Sequence, residues 1–373
     1  MPRSFALSLP WRRALLAGAA ALCLPGLSAQ AAPLEVAQIV PLSGPLANVG
    51  KEVNAITQAT LDDFNQRSKG TQLVLKTYDD GNVADTSTQL AAQAVGSAQV
   101  LLSCFGSVGC LAQQKVSAAS GVPLLGPIAG AAPLRGRQAG TTYAVRASAA
   151  NEVARLLDFA AVMGLDTMGV LVQDDGFGRA YAAELDKLAA RQPRIKITRQ
   201  TLNPAAPDYA HAAAALQAAQ PKVLLLLADA AHSPQFLNAW KKKSTLPFVM
   251  NLAGQANARY AGAMKNYTGA VTFVTVTPSP WGRKAPIQRD YQRIAGAAGL
   301  APSYLGFEAY LNARTLIEAV TQGKVANKAE LARWLDTAGP IHLGSYDVNY
   351  GSERVGSHFT DLALLKPDGS YQH

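Results

Sequence analysis

The 373 residues contain no H-E-x-x-H, no C-x-x-C and no P-loop, so the commonest zinc, dithiol and nucleotide chemistries have no motif to rest on. The five histidines, His211, His232, His342, His358 and His373, lack the spacing of metal ligands. A nucleophile turn of the form G-x-S-x-G is also missing, because Phe105 occupies the first glycine position ahead of Ser107. These absences weigh against catalysis. Charge is sparse at 16% of residues while 49% are hydrophobic, which excludes a disordered polyelectrolyte and suits a folded globular chain. Long apolar runs are scarce too. Ala14 to Leu24 is broken by Pro25-Gly26, and Val223 to Ala228 is strand-length between Pro221 and Asp229, so neither reads as a membrane-spanning helix.

What is present begins with a targeting segment, expected over residues 1–31. Arg3, Arg12 and Arg13 give a basic start, the apolar stretch follows, and Ala29-Gln30-Ala31 fits a cleavage site. Export by the general route is the expectation, and Leu22 argues against a lipid anchor on Cys23. The formal charge is +9, and the three leader arginines leave with the segment. The densest basic run, Lys241-Lys242-Lys243, reads as a solvated helix end. Basic residues are not interleaved with aromatics on one face, so no nucleic-acid partner is expected. Cys104 and Cys110 remain after processing. In an exported chain they are either a disulfide or two small buried thiols, and their spacing allows both.

From Leu34 onward, short aliphatic runs alternate with Ala-rich amphipathic stretches, the pattern of parallel sheets with crossover helices. Two such blocks follow one another, one to about Arg146 and one from Ala150, and the length suits two domains. In parallel sheets, ligands bind beyond the carboxyl ends of the strands. Four segments have that position: 41–45, 105–109, 126–130 and 173–178. In the second, Gly106 and Gly109 let the backbone pass close to a ligand, while Ser107 and the amides of Val108 and its successors point from a helix start. That arrangement suits a carboxylate. The alternative is a serine that only caps the helix.

In order and spacing, these loops resemble the branched-chain amino acid type of periplasmic binding protein, the leucine/isoleucine/valine-binding family. The resemblance is carried by Ile39-Val40-Pro41-Leu42-Ser43-Gly44-Pro45 with Gly50, Tyr78-Asp79-Asp80-Gly81, Phe105-Gly106-Ser107-Val108-Gly109, Gly126-Pro127, Gln173-Asp174-Asp175-Gly176-Phe177-Gly178-Arg179, and Glu308-Ala309-Tyr310-Leu311-Asn312-Ala313-Arg314. It implies a two-lobed type I α/β fold, each lobe a mostly parallel sheet flanked by helices, with three hinge crossovers. Lobe 1 is expected over 32–147 and 277–340, lobe 2 over 148–276 and 341–373.

The resemblance further implies that Ser107 grips a ligand carboxylate beside Gly106 and Val108, that Ile128 offers a backbone contact, that Phe177 covers the ligand from the second lobe, and that Tyr310 stands near the cleft. It also implies a periplasmic location, a permease and an ATPase of an ABC importer as partners, no cofactor, and a monomer. Departures are informative. Gly130 stands where a threonine would add a second hydroxyl, and Val49 where an aromatic would form a wall. No acid lies within Asn251-Leu252-Ala253-Gly254-Gln255 to hold an ammonium, unless Asp229 substitutes. A small organic acid, aromatic or branched, is therefore expected over an amino acid. A subunit that senses a ligand for a membrane receptor or kinase remains the alternative function. A transcription regulator is not, since the chain starts with an export signal rather than a helix-turn-helix.

Overall fold

The computed structural model describes residues 32–241, 246–264 and 269–372. The leader, including Cys23, and the basic residues Lys242 and Lys243 lie outside them. A first sheet is formed by β1 (Leu34–Val40), β2 (Leu73–Asp79), β3 (Val100–Leu102), β4 (Leu124–Leu125) and β5 (Thr142–Tyr143), in the order β2-β1-β3-β4-β5, all parallel. The crossovers carry α1 (Ala47–Arg67), α2 (Ala84–Ala94) and α3 (Ser107–Ser120). β1 and β3 are buried along almost their whole length, whereas in the edge strand β2 only Leu73 is fully buried, as expected where one flank of a sheet is open.

The chain then enters a second unit through α4 (Ala149–Val162), whose start is fixed by a reciprocal Ser148–Asn151 capping box. The strands here are β6 (Thr167–Gln173), β7 (Lys196–Leu202), β8 (Val223–Leu227), β9 (Phe248–Asn251) and β10 (Val271–Thr275), with α5 (Gly176–Ala189), α6 (Tyr209–Gln217), α7 (Ser233–Lys241) and α8 (Ala258–Ala263) between them. After β10 the chain returns to the first unit with α9 (Pro286–Ala297), α10 (Tyr304–Thr321), α11 (Lys328–Thr337) and a small ladder of β11 (Ile341–His342) and β12 (Asp347–Val348). Finally β13 (Asp361–Leu365) and β14 (Tyr371–Gln372) add antiparallel strands beside β10, giving the order β14-β13-β10-β9-β8-β6-β7. Each lobe is thus an α/β layer structure, the expected fold class.

The tail does not leave the first unit at 341. Ile341, Leu343, Tyr346, Val348 and Tyr350 pack into the core around α1, α9 and α10, and only β13 and β14 join the second sheet. Apolar side chains in the 341–350 stretch have a buried partner in the first core, which alternation alone did not reveal. The three passages between sheets run side by side. Tyr346 Oη lies 3.4 Å from Val145 O and 3.5 Å from Val276 O, and Gly356 N donates to Ala144 O at 2.6 Å.

Candidate functional site

The turn that opens α3 is built from unusual backbone. Ser103 has φ 55° and Gly106 φ 75°, and a bridge pairing Phe105 with Ile128 extends the sheet past β3 and β4. Gly106 N donates to Ile128 O at 3.1 Å, and Ile128 N to Cys104 O at 2.9 Å. Across this turn Cys104 and Cys110 form a disulfide, with their Cα atoms 5.4 Å apart; of the two alternatives open in the sequence, the structure takes the bridge. Helix geometry leaves the N–H groups of Ser107, Val108 and Gly109 without intrahelical acceptors.

Ser107 and Val108 line a cavity of about 40 Å³ between the two sheets, room for a few water molecules as the lobes stand. From the first lobe come Leu46, Asn82, Phe105, Gly106, Ser107, Val108, Ile128, Ala129 and Gly130. Gln173, Asp175, Phe177, Tyr181, Asp229, Ala230, Gly254 and Gln255 come from the second, and Arg146 from the crossing between them. Of the residues expected at the site, Gly106, Ser107, Val108, Ile128, Gly130, Phe177 and Asp229 are therefore brought together.

Ser107 is 1% exposed, yet its Oγ has no hydrogen-bond partner, and α3 has no side-chain cap. A serine serving only to cap its helix would not look like this. Gly109 has a different reason from the one expected. A Cβ there would lie 2.9 Å from Asp80 Oδ2, so its bareness makes room for a buried carboxylate rather than for a ligand. Burial pushes the Asp80 carboxyl up, with the Ser87 hydroxyl opposing.

Tyr310 does not reach the cavity, and the expectation that it does is corrected. It is buried, its hydroxyl donates to Asp290 at 2.7 Å, and its ring lies 5.6 Å from Tyr291 and 5.9 Å from Phe307. The parts of that motif turned toward the site are Glu308 and Asn312, one helical turn apart. Asn312 Nδ2 donates to Gly126 O at 2.8 Å and to Ser103 Oγ at 3.2 Å, holding the Ser103–Gly106 turn. Val49 is likewise not among the lining residues; Leu46 takes the wall.

Gly130 is explained by Tyr181. A Cβ on Gly130 would stand 2.2 Å from the Tyr181 hydroxyl oxygen, so a threonine cannot occupy the position while Tyr181 does. The tyrosine ring lies 5.1 Å from that of Phe177, and with Phe105 the three supply aromatic walls. Tyr181 Oη donates to Glu152 at 2.7 Å, and Ala253 N to the same carboxylate at 2.9 Å. Arg146 pairs with Glu152 and lies 3.5 Å from Glu308. All three charges are buried. Burial works against the Arg146 cation, but Glu152 and Glu308 outweigh it and hold its pKa above the ordinary value. Glu308 is pushed up to about 7 by burial, with Arg146 opposing.

The carboxylates on the second-lobe side are already committed. Asp175 Oδ1 accepts from Phe177 N and Gly178 N, each at 2.9 Å, capping α5. Asp229 Oδ1 accepts from Ala231 N at 2.8 Å and His232 N at 3.0 Å. Gln173 bridges them, donating to Asp175 at 2.7 Å and Asp229 at 3.1 Å. Among the described residues no group of His, Cys, Asp and Glu could hold a metal ion, and no helix is long and apolar enough to cross a membrane.

Two α/β lobes, joined by three crossings with a cavity between them, define the type I periplasmic binding fold. Residues 33–349 match the family described as periplasmic binding protein, and the chain belongs to that family, whose members bind solutes rather than transform them. Solved structures of the same fold include an extracellular ligand-binding receptor from Verminephrobacter eiseniae (TM-score 0.82, 22% identity, 91% of this chain and 100% of that one). A leucine-binding protein from Thermotoga maritima is similar (TM-score 0.82, 14% identity, 91% and 97%). So is a solute-binding protein of an ABC transporter from Rhodopseudomonas palustris in complex with 3,4-dihydroxybenzoic acid (TM-score 0.74, 15% identity, 90% and 93%). No curated protein matches the chain by sequence.

Proposed function

We propose that the protein is the extracytoplasmic solute-binding component of an ABC importer, exported by its first 31 residues, and that it captures a small carboxylate-bearing ligand by closure of its lobes. The observation that carries this reading is the Ser107 hydroxyl: buried, without a partner, and placed at the positive end of a 14-residue helix inside the cavity. A buried hydroxyl left unpaired is costly, and an anion at this point relieves it. The Phe105, Phe177 and Tyr181 walls favour an organic acid with a ring or branched chain. An α-amino acid is disfavoured, because Asp229 and Asp175 already accept bonds from helix amides and Gln173, and no acid lies at 251–255.

The test is calorimetric titration of residues 32–373 with aromatic acids, aliphatic acids and amino acids. Binding of one acid class, weakened roughly 10- to 150-fold by Ser107→Ala as a charged hydrogen bond of about 1.5–3 kcal/mol is lost, is expected. Unchanged affinity in that variant, or binding confined to amino acids, overturns the reading.

A further inference from the structure

Asn82 lines the cavity beside the clamp, and nothing in the motifs drew attention to it. It closes the turn between β2 and α2 with φ 62°, a left-handed state that asparagine tolerates better than most side chains. The turn is firmly built. Asn82 N donates to Asp80 Oδ1 at 2.9 Å, Gly81 N to Asp79 Oδ1 at 3.0 Å, and Leu42 N to the same Asp79 oxygen at 2.8 Å. The Asn82 backbone is therefore held by others, and its carboxamide takes no part in holding the turn.

That carboxamide makes no hydrogen bond among the described residues, and its Oδ1 is buried without a partner. It lies directly over the clamp, since a Cβ on Gly106 would come within 3.3 Å of Asn82 Oδ1. The buried Ser107 hydroxyl and the half-buried Asn82 carboxamide, whose Oδ1 is the buried end, thus line one cavity from different loops with no partner of their own. Native interiors seldom leave such groups unpaired; ordered water or a ligand completes them. A carboxamide without internal bonds can turn about its last torsion and present either end, so it can offer N–H to an anion. The second hydroxyl that Tyr181 excludes at Gly130 is the function left vacant.

We propose that Asn82 is a specificity-determining residue whose Nδ2 donates to the ligand carboxylate held by Ser107, taking over the role that a hydroxyl at position 130 cannot play here. This rests on the carboxylate reading above. A donor at this point discriminates a carboxylate from a neutral isostere, and an aspartate of the same shape repels it.

The experiment uses Asn82→Gly and Asn82→Asp, both of which accept the left-handed backbone, so the turn is kept. Wild type, the two variants and Ser107→Ala are titrated with benzoate, 4-hydroxybenzoate and 4-methylpentanoate and with the carboxamide of each, and the melting temperature of each ligand-free protein is recorded. Expected are ligand-free melting temperatures close to wild type, about tenfold weaker acid binding in Asn82→Gly, and a larger loss in Asn82→Asp. The carboxamides should lose less than the acids in Asn82→Asp. Asn82→Asp binding acids as tightly as wild type, or losing acids and carboxamides alike, overturns the proposal while a weakened Ser107→Ala leaves the carboxylate reading standing. Failure of the wild type to bind any of the three acids overturns both.

Discussion

Replacing Gly130 with alanine tests how closure is wired to the site. The new Cβ would stand 2.2 Å from Tyr181 Oη, 2.8 Å from its Cζ and 3.1 Å from Ala149 N, and carbon does not approach these atoms closer than about 3 Å. The tyrosine must retreat by roughly an ångström. Its ring is buried on α5 and packed against Phe177, so the retreat carries α5, and with it the second lobe, away from the first. The hydrogen bond from Tyr181 to the buried Glu152, 2.7 Å long, is then strained or broken. A bond to a charged group of this kind is worth about 1.5–3 kcal/mol, and overpacking adds about 1–3 kcal/mol. Because the contact joins the lobes, the penalty falls on the closed state. Gly130→Ala should therefore bind at least about tenfold more weakly in calorimetric titration while the ligand-free melting temperature stays within about 2 °C of wild type. Tyr181→Phe removes the oxygen that collides, so the alanine should cost less in that background. Equal costs in both backgrounds, or wild-type affinity in Gly130→Ala, would refute the steric argument.

Glu308 gives a pH dependence of definite sign. Burial raises its pKa from 4.5 to about 7, so the folded state holds a proton that the unfolded state releases. Stability should fall as pH rises from about 4.5 to about 7 and level off above, by up to on the order of 3 kcal/mol. Urea unfolding across that range should show a flatter profile in Glu308→Gln, and parallel profiles would contradict the argument. The Cys104–Cys110 bridge closes a loop of sequence separation 6, and its removal in a Cys104→Ser, Cys110→Ser double variant should cost about 2 kcal/mol of stability by chain entropy. Because the bridge ties Cys104, within the Ser103–Gly106 turn, to the first turn of α3, the same variant should also bind the proposed acid more weakly, and an affinity equal to wild type would detach the bridge from the Ser107 site.

The sheets were legible because parallel strands buried on both faces leave short aliphatic runs between turn residues, as Val223–Leu227 does between Pro221 and Asp229. The turn at 103–107 was legible because Gly106 and Ser107 sit where a strand ends and a helix begins. Tyr181 lies four residues after Phe177, so both project from the same face of α5. Arg146 and Glu152 carry no motif, and Glu308 enters only as the first residue of the last motif of the resemblance. Charged residues distant in sequence read as surface until the fold buries them together. Tyr310 was misplaced for a related reason. Nearly every residue of α10 is buried, so the helix has no polar face to set its phase, and the side pointing to the site, Glu308 and Asn312, could not be told from the side holding Tyr310.

The electrostatic arrangement of the cavity argues for an anion from two directions. The negative charges near it are each hydrogen-bonded: Asp175 and Asp229 by helix amides and Gln173, and Glu152, behind Tyr181, by Arg146, Tyr181 and Ala253 N. A cationic ligand at Asp175 or Asp229 would share oxygens that already accept these bonds. The groups left without partners, Ser107 and Asn82, can both donate, and they stand at the positive end of α3. An anion therefore gains bonds that cost the protein none. Some of the same contacts exist only with the lobes together, since Tyr181 occupies the space above Gly130 and Arg259 donates to Pro45 O across the opening. A ligand that bridges α3 and Phe177 can favour closure by no more than its extra affinity for that state. The contacts between lobes set how far the unliganded protein already leans toward it, which is why Gly130 and Tyr181, though bound to no ligand carboxylate, should govern affinity as strongly as Ser107.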